Sequence, residues 1–240
     1  MKTPSDSPVE RHPFEPFLPE HAKVLFLGSF PPQPKRWSMD FYYPNWINDF
    51  WRICGLLFFG ERAWFERPGE KKFDKGRIIS FCREKGFAMY DTATEIRRLM
   101  DNASDKFLEV VTPTDLSALL TKIPECRAIV TTGQKATETL CATFGCPAPP
   151  LGGSVPVRFP SSVSGNLFAP AMSEPALSKP ALSASALSDP VAVPAESKEA
   201  APESRMLQFW RMPSTSRAYP SPLEKKAAAY RVLFRELGLL

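Results

Sequence analysis

Four short apolar segments, each closed by a tight loop, constrain the fold of this chain more than any other feature. They have the length of strands, and they lie at residues 24–27, 87–90, 128–132 and 207–212. Segments with the spacing of amphipathic helices lie between and after them. Repetition of strand, loop and helix is typical of a largely parallel sheet that is covered on both faces.

The predicted helices differ in the signals that mark them. They span residues 46–58, about 74–85, 116–120, 134–144 and about 222–237, together with a short polar helix after Asp91 that contains Ile96 and Leu99. The last of them is predicted from a capping-box pattern at Ser221–Glu224, which has Pro222 at the first helical position.

Composition places the chain among folded proteins. Its 240 residues are 43% apolar and include 18 Phe and 5 Trp, so a wholly disordered chain is excluded. No apolar run approaches the roughly 18 residues of a membrane span, and residues 1–6 form no apolar signal region. Five cysteines without a close cluster predict reduced thiols in a cytoplasmic protein. Since His12 and His21 both lie near the N-terminus and no CxxC pair exists, we expect no metal site, no His-based triad and no cofactor.

Residues 162–204 differ in composition from the rest. They hold six of the 26 prolines, repeat Ala-Leu-Ser every five residues from residue 176, and carry a net charge of −3 that leaves +7 on the remainder. Recurrent proline and few large side chains disfavour a packed structure. We therefore predict one domain over residues 1–240 that is interrupted by a flexible insertion, and we favour a tolerated surface insertion over a partner-binding loop.

Four loops leave the carboxyl ends of the predicted strands. They are Gly28–Pro32, Asp91–Glu95, Gly133–Gln134 and Pro213–Arg217. A parallel sheet brings such loops to one edge, where proteins of this class bind their ligands. The predicted ligand site therefore lies at that edge.

Two segments near this edge have the side chains to bind a nucleotide. Residues 41–48 hold four aromatic rings and two asparagines, which can stack on a base and hydrogen-bond to its edge. We predict Phe41, Trp46 and Trp51 as core residues and leave Tyr42 and Tyr43 open. Asn48 has the alternative role of a residue that starts a helix. Residues 214–217 offer three hydroxyls and a guanidinium for phosphates, although a solvated turn would have the same composition.

These residues resemble motifs of a known family. The stretches Leu25–Pro32 and Phe41–Trp51 are similar to the first motif region of the uracil-DNA glycosylase superfamily, closest to the branch of mismatch-specific and hypoxanthine-type enzymes. Residues 212–216 resemble its second motif, a loop that enters the minor groove of DNA. The resemblance implies a three-layer α/β/α fold with a central, mostly parallel sheet of four or five strands.

The resemblance also implies an activity and a set of roles. It implies hydrolysis of the N-glycosidic bond of a deaminated base in DNA, for base excision repair. Independently of the resemblance, we expect a monomer that does not act at a membrane. The implied catalytic residues are Asn48, Ser29 and Phe30, the last two through their backbone amides. The implied base-binding residues are Gly28, Pro31, Tyr43, Asp91 and Gln134. The implied DNA-binding residues are Ser214, Thr215, Ser216 and Arg217, and the partner is DNA that contains a damaged or mismatched base.

Three departures from the family pattern leave a second function open. Phe30 stands where the best-known branches have a water-positioning Asp or Asn, and Met212 stands where the second motif often opens with His or Asn. Residues 44–47 also replace the usual His-Pro-Arg before the Asn. The alternative is a non-catalytic member of the same fold that binds nucleic acid or a nucleobase. An enzyme of free nucleosides is a third and weaker alternative, because no nucleophile or general base is evident.

Overall fold

The computed structural model describes residues 7–100, 107–160 and 204–240. Its strands are β1 (Val9–Arg11), β2 (Val24–Gly28), β3 (Phe87–Asp91), β4 (Ala93–Arg98), β5 (Leu108–Pro113), β6 (Ala128–Thr132), β7 (Ser154–Pro160) and β8 (Ser204–Met212). Its α-helices are α1 (Phe50–Phe59), α2 (Lys75–Lys85), α3 (Leu116–Thr121), α4 (Gln134–Phe144) and α5 (Leu223–Glu236). The predicted insertion lies outside the described residues, apart from Ser204 at the start of β8.

Five strands form the central sheet in the order β3-β2-β6-β8-β7. The first three pairs are parallel, and only β7 runs antiparallel to its neighbour. β2, β3 and β6 are buried along nearly their whole length, as strands covered on both faces must be. The predicted fold class, an α/β fold with a mostly parallel sheet flanked by helices, is confirmed.

Aromatic packing joins the sheet to α1 and α5. The ring of Phe26 in β2 lies 5.3 Å from that of Phe50 in α1 and 6.2 Å from that of Phe234 in α5. Phe41 and Trp51 are buried, as predicted, whereas Trp46 is only half-buried beneath the guanidinium of Arg52. The site described below is therefore built on a rigid aromatic core.

A second sheet corrects one prediction. The polar helix predicted after Asp91 is wrong, because residues 93–98 form β4, which pairs antiparallel with both β1 and β5. The register of β4 shifts between Ala93 and Glu95 and between Glu95 and Ile96. As a result the buried residues Ala93 and Ile96 are three positions apart, a spacing that also occurs on one face of a helix. Leu99, expected on the helix, is exposed.

Two helix starts also differ from prediction. α1 begins at Phe50 rather than Trp46, because Tyr43 has a positive φ of 52° and residues 45–48 form a turn. α5 begins at Leu223 with Pro222 just before it, and no side chain caps its first turn. Within the described residues, no helix is long and apolar enough to cross a membrane.

Candidate functional site

A cavity of about 100 Å³ lies where four strands of the central sheet end. Gly28 ends β2, Asp91 ends β3, Thr132 ends β6, and residues 213–217 follow β8. The cavity is lined by Gly28–Pro32, Tyr42–Asn45, Ile47, Asn48, Asp91, Arg98, Thr132 and Ser214–Ser216. Ten of the twelve predicted site residues thus lie together, and only Gln134 and Arg217 are absent from the lining.

The floor of the cavity brings two strand ends into close contact. A Cβ atom at Gly28 would collide with Oδ1 of Asp91, so only glycine allows the carboxylate to lie across the end of β2. Arg98 fixes the loop that follows, because its guanidinium donates to the carbonyl oxygen of Pro31 at 3.1 Å and pairs with Glu10. Sequence reasoning missed Arg98, which lies on the strand that was predicted as a helix.

Tyr43 is held as a fixed, neutral aromatic wall. Its ring is stacked on Phe50 with centroids 4.0 Å apart and planes 11° apart, and its hydroxyl lies 2.9 Å from Oγ1 of Thr132. Burial raises the pKa of the Tyr43 phenol well above its usual value. Tyr42 is buried, and its hydroxyl donates to the carbonyl oxygen of Glu15 at 2.8 Å. Both tyrosines line the cavity.

Asn48 lies two residues before α1 and lines the cavity. Its Oδ1 accepts the N–H of Phe50, the first residue of α1, at 2.9 Å, while Asp49 is the N-cap residue. This hydrogen bond fixes the orientation of the carboxamide, since the oxygen must face the N–H donor. The Nδ2 group, which donates to no residue that the structure describes, remains available to a ligand.

Two of the three departures from the family motifs, Phe30 and Met212, have structural explanations. The Phe30 side chain is 8% exposed and packs with Ala93, Ile96 and Leu108 in a small core between the cavity and the second sheet. Met212 is fully buried in the main core and does not line the cavity. Phe30 therefore supplies an apolar wall and the connection to the second sheet.

A buried ion pair holds the loop 213–217 against the start of α1. Lys226 of α5 lies 3.0 Å from Oδ2 of Asp49 and donates to the carbonyl oxygen of Ser216 at 3.0 Å. The backbone N–H of Asp49 donates to the carbonyl oxygen of Thr215 at 2.9 Å. Sequence reasoning missed this pair, although Lys226 shares the spacing of the buried Tyr230 and Leu233 on α5.

The remaining predicted residues lie at the margin. Gln134 is exposed on α4, where it is bonded to Glu138 and Arg211. The Arg217 side chain is 48% exposed, with Nε 3.6 Å from Oδ1 of Asp49. Among the described residues, no group of three or more His, Cys, Asp or Glu side chains is placed to bind a metal ion.

Comparison with solved structures identifies a similar fold. The chain resembles a proposed uracil DNA glycosylase from Methanosarcina acetivorans, solved in solution by NMR, with a TM-score of 0.53 and 18% sequence identity. The similarity covers 96% of this chain and 99% of that one. No protein-family model matches the chain, and no curated protein matches it. At this level of identity the likeness establishes the architecture, and the chain has a uracil-DNA-glycosylase-like α/β fold.

Proposed function

We propose that this protein is a DNA glycosylase that hydrolyses the N-glycosidic bond of a deaminated base, of the uracil or hypoxanthine type, in DNA. The observation that carries the proposal is that the loop 28–32, Tyr43, Asn48 and the loop 214–216 all line one cavity. The resemblance to the mismatch-specific and hypoxanthine-type branch involves these same loops. The net charge of +7 outside residues 162–204 also suits a polyanionic partner.

The first task of such an enzyme is to bind a base that has left the helical stack. An extruded base needs an aromatic or apolar surface in place of its lost stacking partners. Tyr43 supplies this surface, because Phe50 and Thr132 fix its ring and no ordering is required when the base enters. Phe30 adds an apolar wall, and Asp91 offers an acceptor to the edge of the base.

The second task is to stabilise the departing base. Cleavage leaves the electron pair of the C1′–N bond on the base, while the oxygen of a water molecule bonds to C1′ of the deoxyribose. The proton that this water releases neutralises the departed base. Asn48 Nδ2 donates to an oxygen of the base on which negative charge develops. The hydrogen bond from the N–H of Phe50 to Oδ1 holds this donor in place before the reaction, so little reorganisation is needed.

The third task is to hold the DNA on either side of the extruded nucleotide. Hydroxyls bind phosphates without reading sequence, and Ser214 and Ser216, which are half-buried and line the cavity, supply two of them, whereas Thr215 is buried. Arg217, half-exposed at the end of this loop, adds a positive charge for the flanking backbone. Lys226 and Asp49 stabilise the loop in the required conformation.

Base release from labelled oligonucleotides tests the function. The panel carries uracil, hypoxanthine, xanthine or mismatched thymine, in duplex and single-stranded form, and alkali reveals abasic sites. We expect release of uracil or hypoxanthine and salt-sensitive binding of the DNA.

The packing of Phe30 favours one other function. Because an apolar side chain cannot position water as the acidic residue of other branches does, a protein that binds DNA without cleaving it is the alternative. Salt-sensitive binding with no release from any substrate of the panel would establish this alternative and refute the glycosylase.

A further inference from the structure

The His12 side chain is buried against Asp91, a residue of the cavity lining, although no sequence pattern connects the two. Its side chain is 2% exposed, and Nε2 lies 2.9 Å from Oδ2 of Asp91, a residue 79 positions away. The rings of Phe30, Tyr42 and Tyr90 enclose it, with centroids between 4.7 and 6.2 Å from its own. The strand β1, which pairs with β4, delivers the histidine to this position.

The hydrogen bond from His12 to Asp91 has a defined direction. Because a carboxylate only accepts, Nε2 must carry the proton and donate it. Nδ1 lies 3.1 Å from the backbone nitrogen of Phe14 and 2.8 Å from its carbonyl oxygen. Nδ1 can therefore accept the N–H of Phe14 while Nε2 donates to Asp91.

The other oxygen of Asp91 is left open. Asp91 is 7% exposed and lines the cavity, and its Oδ1 lies over Gly28 without a hydrogen-bond donor from any described residue. Among the described residues, the fully buried side-chain atoms without a hydrogen-bond partner are Ser117 Oγ and Trp210 Nε1. Oδ1 of Asp91 is not one of them and therefore keeps access to the cavity, where an N–H group of a ligand can reach it.

We propose that His12 is a positioning residue that occupies Oδ2 of Asp91 and thereby holds Oδ1 as an acceptor for an N–H group of the extruded base. This inference rests on the proposed function. Uracil and hypoxanthine both carry a ring N–H beside a carbonyl group, which is the chemistry that such an acceptor selects. His12 itself touches no substrate and acts only through Asp91.

Two substitutions separate positioning from packing. His12→Phe keeps an aromatic ring but removes the donor, whereas His12→Gln keeps an N–H that reaches Asp91. In single-turnover reactions at saturating enzyme, we expect His12→Phe to slow base release on the order of 100-fold, as misplacement of a site group does. DNA affinity should stay unchanged, and His12→Gln should restore most of the rate. His21→Leu, at an exposed histidine bound to Glu125, is the surface control and should behave as wild type.

Asp91→Asn provides a second test in case His12→Phe does not fold. In this variant the N–H of His12 should donate to the amide oxygen. The NH₂ group then faces the cavity in place of Oδ1, where it cannot accept the N–H of the base. Base release should fall to a similar extent with the melting temperature nearly unchanged.

Several results would overturn the inference. The inference is wrong if His12→Phe or Asp91→Asn releases the base at the wild-type rate. It is also wrong if His12→Phe and His12→Gln slow base release equally, because the histidine would then have only a packing role. In each case release by the wild-type protein leaves the proposed function standing. Absence of release by the wild-type protein would instead refute both proposals.

Discussion

Replacement of Lys226 by Met should destabilise the protein and loosen the loop 213–217. Lys226 is 1% exposed and Asp49 is 5% exposed, so the substitution removes the cation and leaves a buried carboxylate behind. Removal of one partner from a buried ion pair costs about 3–5 kcal/mol. The guanidinium of Arg217, with Nε 3.6 Å from Oδ1 of Asp49, still compensates part of the carboxylate's charge. We therefore expect a loss of stability at the lower end of this range, about 3 kcal/mol.

Thermal and denaturant unfolding measure this loss. For a chain of this length, 3 kcal/mol corresponds to a fall of about 6–12 °C in melting temperature. Lys225→Met, at the exposed neighbouring position on α5, is the matched control and should change stability by less than about 0.5 kcal/mol. Asp49→Asn combined with Lys226→Met should recover part of the loss, with a coupling of about 1–3 kcal/mol.

The same variant tests the role of the ion pair in DNA binding. Lys226→Met also removes the donor to the carbonyl oxygen of Ser216, so duplex binding should weaken more than in Lys225→Met at equal fractions of folded protein. Equal stability of the Lys226→Met and Lys225→Met proteins would refute the reasoning, because it would mean that the buried pair stabilises nothing.

Two further predictions concern the aromatic wall and the proline-rich segment. Tyr43→Leu should weaken the binding of damaged DNA by about 1–3 kcal/mol through lost stacking, whereas Tyr43→Phe, which loses only the bond to Thr132, should bind nearly as well as wild type in fluorescence anisotropy. Tighter or equal binding by Tyr43→Leu would remove Tyr43 as the base platform. Deletion of residues 165–203 should leave the melting temperature nearly unchanged, and a large fall would show that this segment packs on the domain.

The central sheet could be predicted because its strands are nearly continuous apolar runs, which burial on both faces requires. Spacing of apolar residues misled the prediction at β4. Its register shifts leave the buried residues Ala93 and Ile96 three positions apart, and the local pattern alone assigns such a spacing to a helix. Pairing with β1 and β5, which lie far away in sequence, decides the structure of that segment.

The candidate site was predictable in its loops but not in its buried charges. Asn48 and Tyr43 stand in a recognisable motif between β2 and α1, and the position of that segment beside the strand ends follows from the fold. Lys226 and Asp49 are 177 positions apart, and His12 and Asp91 are 79 positions apart. Nothing local marks either pair, because each exists only after the elements that carry it have packed.

Base release by wild type and by Asn48→Asp, compared in single-turnover reactions on a uracil or hypoxanthine duplex, tests the central claim most directly. Aspartate keeps the acceptor for the N–H of Phe50 but lacks the Nδ2 donor, so folding should be retained. Loss of one donor to developing charge predicts a rate lower by about 100- to 1,000-fold, with the melting temperature close to that of wild type. Equal rates in the two proteins would contradict the account, because cleavage would then not depend on the donor that the cavity provides.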